Sequence, residues 1–204
     1  MKNKTNRAKL GNISIYIAFL LVAVFVNFFS SWIIQKYFPE RVAAPDLMFK
    51  ILPNIPFAQY LTDIFNILSF ILIFYYLIKY KVKEIRYFLL NFSVAYMLRG
   101  LIIILTPLGG INGNEANYGI TAIKQYGAFP SGHTIMVTMA YMLISNSDAP
   151  ILKKLALISV LIEIISLLIS RGHYSIDIVG GLLLSYFVYH ELTKYRDQLK
   201  AIHA

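Results

Sequence analysis

Six apolar stretches separated by short basic clusters leave this chain of 204 residues little choice of solvent. A helix needs about 20 residues to cross a hydrocarbon core, and windows 13–34, 60–78, 87–105, 133–144, 155–169 and 174–192 supply six candidates. The fourth and fifth reach spanning length only by including flanking polar residues. Hydrophobic residues make up 58% of the chain and charged residues 14%, whereas a soluble domain carries about a quarter charged residues. The first window follows Lys2, Lys4, Arg7 and Lys9 as a secretory leader would. It runs on through Phe28, Phe29, Trp32 and Ile34, well past a leader core of about 7 to 15 residues, and reads as a retained membrane helix.

Orientation follows from the basic residues. With the N-terminus inside, 13 of the 19 Lys and Arg fall on the cytoplasmic side, as the positive-inside rule requires. The expectation is an all-α polytopic membrane protein, a six-transmembrane-helix bundle of the plasma (inner) membrane with both termini inside. Residues 1–12 form a cytoplasmic N-terminus, 13–192 the transmembrane catalytic domain and 193–204 a cytoplasmic tail. The net charge of +9 resides in clusters between apolar runs, where it sets membrane orientation, so no nucleic-acid partner is expected. Cysteine is absent, which excludes disulfides, thiol nucleophiles and thiolate metal sites.

One polar cluster, Ser170-Arg171-Gly172-His173-Tyr174-Ser175-Ile176-Asp177, sits between two apolar runs. If the chain is helical from His173 onward, His173 and Asp177 share a face, and the carboxylate takes one imidazole nitrogen while the other serves as nucleophile or base. Arg171 adds a planar cation suited to phosphate oxygens. A second cluster, Pro130-Ser131-Gly132-His133, opens the fourth window. It has two readings: a phosphate cradle on Ser131 and the backbone at Gly132, or an ordinary helix cap with His133 at the interface. The two histidines are 40 residues apart, about two membrane crossings, which places both on the outer face.

Arg99, inside the third window, marks either a functional site or a side chain snorkelling outward, with no partner in its own stretch. His173 and Asp177 alone would also serve as a structural pair or as metal ligands, though no further ligand stands at a suitable spacing and Arg171 repels a cation. Glu163 pairs with a base or is protonated, Asp63 faces water near the outer end, and His190 and His203 are surface residues. Residues 106–130 are rich in Gly and Asn and form an outer loop able to cover a substrate.

Pro130-Ser131-Gly132-His133 and Ser170-Arg171, with His173 and Asp177 following, resemble the second and third signatures of the type 2 phosphatidic acid phosphatase (PAP2) superfamily. Arg99 with Thr106-Pro107 occupies the place of the first, with Arg for the usual Lys and Thr for the usual Arg, and the spacing from Arg171 to His173 is shortened. The run from Arg171 to Val179 is similar to the signature of sphingomyelin synthases, and Ala44-Pro45-Asp46 with Pro53 resembles that branch's stretch after the first helix. Phe129-Pro130 looks more like the phosphatases.

The resemblance, from about Pro45 to Gly181, implies a lipid phosphatase or headgroup phosphotransferase that needs no metal or cofactor. By it His173 forms a phosphohistidine, Asp177 fixes its tautomer, and His133 is the acid and then the base. Arg171, Arg99, Ser131 and Gly132 hold the phosphoryl oxygens. The implied substrates are a phospholipid, a sphingolipid or a polyprenyl phosphate, with water or a lipid alcohol as acceptor. The alternative from another class is a non-catalytic headgroup-binding carrier or scaffold.

Overall fold

The computed structural model describes residues 2–109, 127–145 and 147–196. Among them the elements are helical, with no strand: α1 (Lys2–Tyr37), α2 (Met48–Ile51), α3 (Ala58–Tyr80), α4 (Ile85–Ile103), α5 (Gly132–Ser145), α6 (Pro150–Ile169) and α7 (Ser175–Thr193), with a 3-10 turn at Val82–Glu84 before α4. Each apolar window corresponds to one helix, although α5 has only 14 residues and windows 87–105 and 174–192 overrun α4 and α7 by one or two residues. Ile13–Tyr37 and Ala58–Tyr80 are long and apolar enough on their own to cross a membrane. The other long helices carry polar residues that the bundle buries, such as Asn91, Ser93 and Arg99 on α4 and Glu163 on α6. His203 and most of the predicted outer loop fall outside the described residues; His190 is exposed beside Tyr186.

Helix α5 is the centre of the bundle, packed on α3, α4, α6 and α7, while α1 lies along α4 and not along α3. The half of the bundle nearer the termini is apolar. Leu72, Ile73 and Tyr76 of α3 meet Met139, Leu143 and Ile144 of α5, Ala156 of α6 and Val188 of α7 there. Phe25, Phe70, Ile158 and Leu183 are exposed on the outer faces of four helices, as lipid-facing positions are. At the same end Glu84, buried, takes the Arg196 Nε–H at 2.9 Å and lies 3.5 Å from Lys81 Nζ. The polar residues gather in the opposite half, and that segregation makes room for a site within a membrane protein.

The sixth window opens at residue 174 and α7 begins at Ser175, so the condition that the helix includes His173 is not met. Helix α6 ends in a Schellman turn. The Gly172 N–H donates to the Leu167 carbonyl at 3.0 Å, the Arg171 N–H donates to Leu168 at 3.2 Å, and Arg171 takes the left-handed φ of 55° that glycine usually supplies at this point. His173 therefore stands in the corner between α6 and α7. Asp177 reaches it from the third helical position, where a carboxylate bends back over the helix start.

Candidate active site

The corner holds its histidine tightly. His173 is 1% exposed and Asp177 0%, and Asp177 Oδ2 lies 3.2 Å from His173 Nδ1 while accepting the Tyr174 N–H at 3.0 Å. One carboxylate oxygen thus caps α7 and orients the imidazole. Its other oxygen, Oδ1, is buried with no hydrogen-bond partner among the described residues. With Nδ1 turned to the carboxylate, Nε2 is the nitrogen left for chemistry.

The start of α5 meets this corner directly. Ser131 N–H donates to the Asp177 carbonyl at 2.9 Å, and Ser131 Oγ accepts the Thr134 N–H at 3.2 Å. Ser131 therefore caps the helix, the plainer of its two sequence readings, and its hydroxyl proton remains available to a ligand oxygen. The junction tolerates no bulk, since a Cβ on Gly181 would lie 2.9 Å from the Ser131 carbonyl. The result is that the His133 and His173 rings stand edge to face, 6.0 Å between centroids.

Asp63 does not face water. It is buried, and its Oδ1 lies 3.8 Å from His133 Nε2, so each histidine has an acid beside it. Nor does Arg99 snorkel: it is 3% exposed, donating from Nε to the Pro130 carbonyl at 2.9 Å and from Nη1 to Asn27 Oδ1 at 2.7 Å. Asn27 is itself held by donating to the Ala23 and Tyr96 carbonyls. Gly132 makes the seat, because a Cβ there would stand 3.1 Å from Arg99 Nε. Glu163, fully buried, accepts from the Asn66 amide at 3.3 Å rather than pairing with a base.

Arg171 is placed differently from expectation. Its Nη2 donates to the Phe49 carbonyl at 3.2 Å and its guanidinium lies 5.7 Å from the Phe49 ring centre. This belongs to a strap between α1 and α3 that crosses the corner. Asp46 accepts the Ser175 N–H at 2.6 Å and the Met48 N–H at 2.8 Å, and Tyr174 Oη accepts the Ala44 N–H and donates to the Gly109 carbonyl, each at 3.1 Å. A cavity of about 240 Å³ opens beside His133, lined by Asn27, Phe28, Asn66, Tyr96, Arg99 and His133 and not by His173. Its walls come from α1, α3, α4 and α5, so it lies where α1 and α3 leave the bundle unsealed.

Sequence reasoning missed Asn27, Asn66 and the pairing of Asp63. The available signal was polarity: amides and acids inside apolar helices need a reason to be there.

Residues 129–194 match the family described as PAP2 superfamily C-terminal, and this segment contains Ser131, Gly132, both histidines, Arg171 and Asp177. Over 87% of its length the chain is 25% identical to phosphatidylcholine:ceramide cholinephosphotransferase 2 of Caenorhabditis elegans, spanning 64% of that protein. The segment that carries the site is thus similar to the C-terminal part of the PAP2 superfamily, and the longer match runs to a protein of the sphingomyelin-synthase-like branch.

Proposed function

We propose that the protein is a membrane-embedded lipid phosphoesterase that moves a phosphoryl or phospho-headgroup through a phosphohistidine to water or a lipid alcohol. The observation that carries this is the facing pair of buried histidines, each beside a carboxylate, with Arg99 seated on the glycine between Ser131 and His133.

In the first step His173 Nε2 bonds to phosphorus, the bond from phosphorus to the departing oxygen breaks, and His133 gives that oxygen a proton. Asp177 stabilises the cation that develops on His173. Arg99, Ser131 and the first amides of α5 carry the charge on the phosphoryl oxygens, the main task of a protein in phosphoryl transfer. In the second step an acceptor hydroxyl gives its proton to His133 and bonds to phosphorus, and the bond to Nε2 breaks. Asp63 orients the His133 ring for both proton transfers. Arg171 joins the phosphate only by leaving the Phe49 carbonyl. No step requires a metal or a cofactor.

The relative's name pairs phosphatidylcholine with ceramide, which supports a membrane phospholipid as donor here. Lipid mass spectrometry of cells expressing the protein or its His173→Ala variant tests the reading. The active protein shifts phospholipid and acceptor pools in opposite directions; identical lipid profiles contradict it.

The basic clusters support a six-span arrangement with residues 1–12 and 193–204 inside, 13–192 in the plasma (inner) membrane and the histidines outside. In this cysteine-free chain, single cysteines at Asn112, Lys153 and Ala201 report the sides. An impermeant reagent labels only position 112 in intact cells; labelling at 153 with none at 112 reverses the topology.

A further inference from the structure

Two acceptors fix the amide nitrogen of Asn66. Its Nδ2 donates to the His133 carbonyl at 3.4 Å and to Glu163 Oε1 at 3.3 Å. A carbonyl oxygen only accepts, so the nitrogen belongs on that side and the amide oxygen on the other, and Asn66 lines the cavity. Glu163 is 0% exposed, its Oε2 has no hydrogen-bond partner among the described residues, and its Oε1 accepts from Asn66. An acid inside an apolar bundle is costly, and this one is arranged to hold an amide in place.

We propose that Asn66 Oδ1 reads the acceptor in the second step, receiving an N–H or O–H that is not the reacting hydroxyl. This rests on the histidine chemistry proposed above. The reacting hydroxyl has one proton, which goes to His133 as oxygen bonds to phosphorus and the phosphorus bond to His173 Nε2 breaks. An acceptor that also satisfies Asn66 must carry a second donor close to that hydroxyl. The fitting class is a lipid alcohol with a neighbouring hydroxyl or amide N–H, of which ceramide is an example, and diacylglycerol is the counterpart that lacks the second donor. Val24 and Phe28 line the same cavity and are 39% and 46% exposed on the lipid-facing helix α1, so the apolar part of such a lipid lies between α1 and α3. Glu163 is a positioning residue in this scheme, acting through Asn66.

The full-length protein in mixed micelles, given phosphatidylcholine, phosphatidylethanolamine or phosphatidic acid as donor, is offered equal ceramide and diacylglycerol whose chain lengths differ from the donor's. No turnover of any donor refutes the histidine chemistry and the inference with it. Given turnover, the expected result is a preference for ceramide that falls about tenfold in Asn66→Leu, the worth of one ordinary hydrogen bond. Glu163→Leu, which frees the amide to turn, lowers the preference similarly. Glu163→Gln, whose side-chain oxygen still accepts from Asn66, restores it. General damage to the fold lowers both products together and leaves their ratio alone. An enzyme without the preference, or an unchanged ratio in Asn66→Leu and Glu163→Leu, overturns the assignment; if one of these variants does not fold, the other decides.

Discussion

Replacing His173 with Ala abolishes turnover of every phosphoester, whereas replacing His133 with Ala leaves measurable attack on an activated ester such as nitrophenyl phosphate. The inequality follows from the two roles. A nucleophile has no substitute in the site, and His173 is the ring whose tautomer Asp177 fixes from 3.2 Å. A general acid typically contributes about 10²- to 10⁴-fold, and matters least when the leaving group departs without a proton. His133→Ala therefore loses nearly all activity on a lipid ester but keeps the first step on nitrophenyl phosphate. Stopped-flow release of nitrophenol checks this. Equal activity of the two variants on the activated ester removes the distinction between nucleophile and acid.

Asp177→Asn has the second largest effect, a fall in turnover of up to about 10⁴-fold by analogy with the loss of a triad aspartate. The change is informative because Oδ2 alone makes both contacts, with His173 and with the Tyr174 N–H, while Oδ1 has no partner. An Asn oxygen placed at the Oδ2 position preserves the cap and the orientation of the ring, so the missing quantity is negative charge beside the imidazolium. The buried amide nitrogen left over costs about 1 to 3 kcal/mol of stability. Thermal unfolding in detergent measures that cost separately from turnover. Turnover within threefold of the wild type shows that the carboxylate's charge takes no part.

The residues with chemistry in their own segments were legible in the sequence. His133, His173 and Asp177 announce themselves by polarity within apolar runs, and the Schellman turn after α6 changed only how they meet: Asp177 reaches back to a histidine that precedes the helix. What the sequence hid is tertiary. Arg99 finds Asn27 across 72 positions because α1 packs along α4, and Glu163 finds Asn66 across 97 because α3 packs on α6. Asp63 is read as solvent-facing from its place near a helix end, but α3 turns it inward toward α5. Arg171 is the reverse case. Its place in a motif suggests a phosphate ligand, while the strap from α1 to α3 supplies the Phe49 carbonyl that holds it in this structure.

The site's central claim, a covalent bond from phosphorus to His173, is tested most directly by trapping it. In His133→Ala the second acceptor lacks its base, so the intermediate formed from nitrophenyl phosphate accumulates. After a rapid quench in base, peptide mass spectrometry and ³¹P NMR locate the phosphate. The account predicts an acid-labile, base-stable phosphate on residue 173, bonded through Nε2. Phosphate found on any other residue, or the same label in His173→Ala, contradicts it.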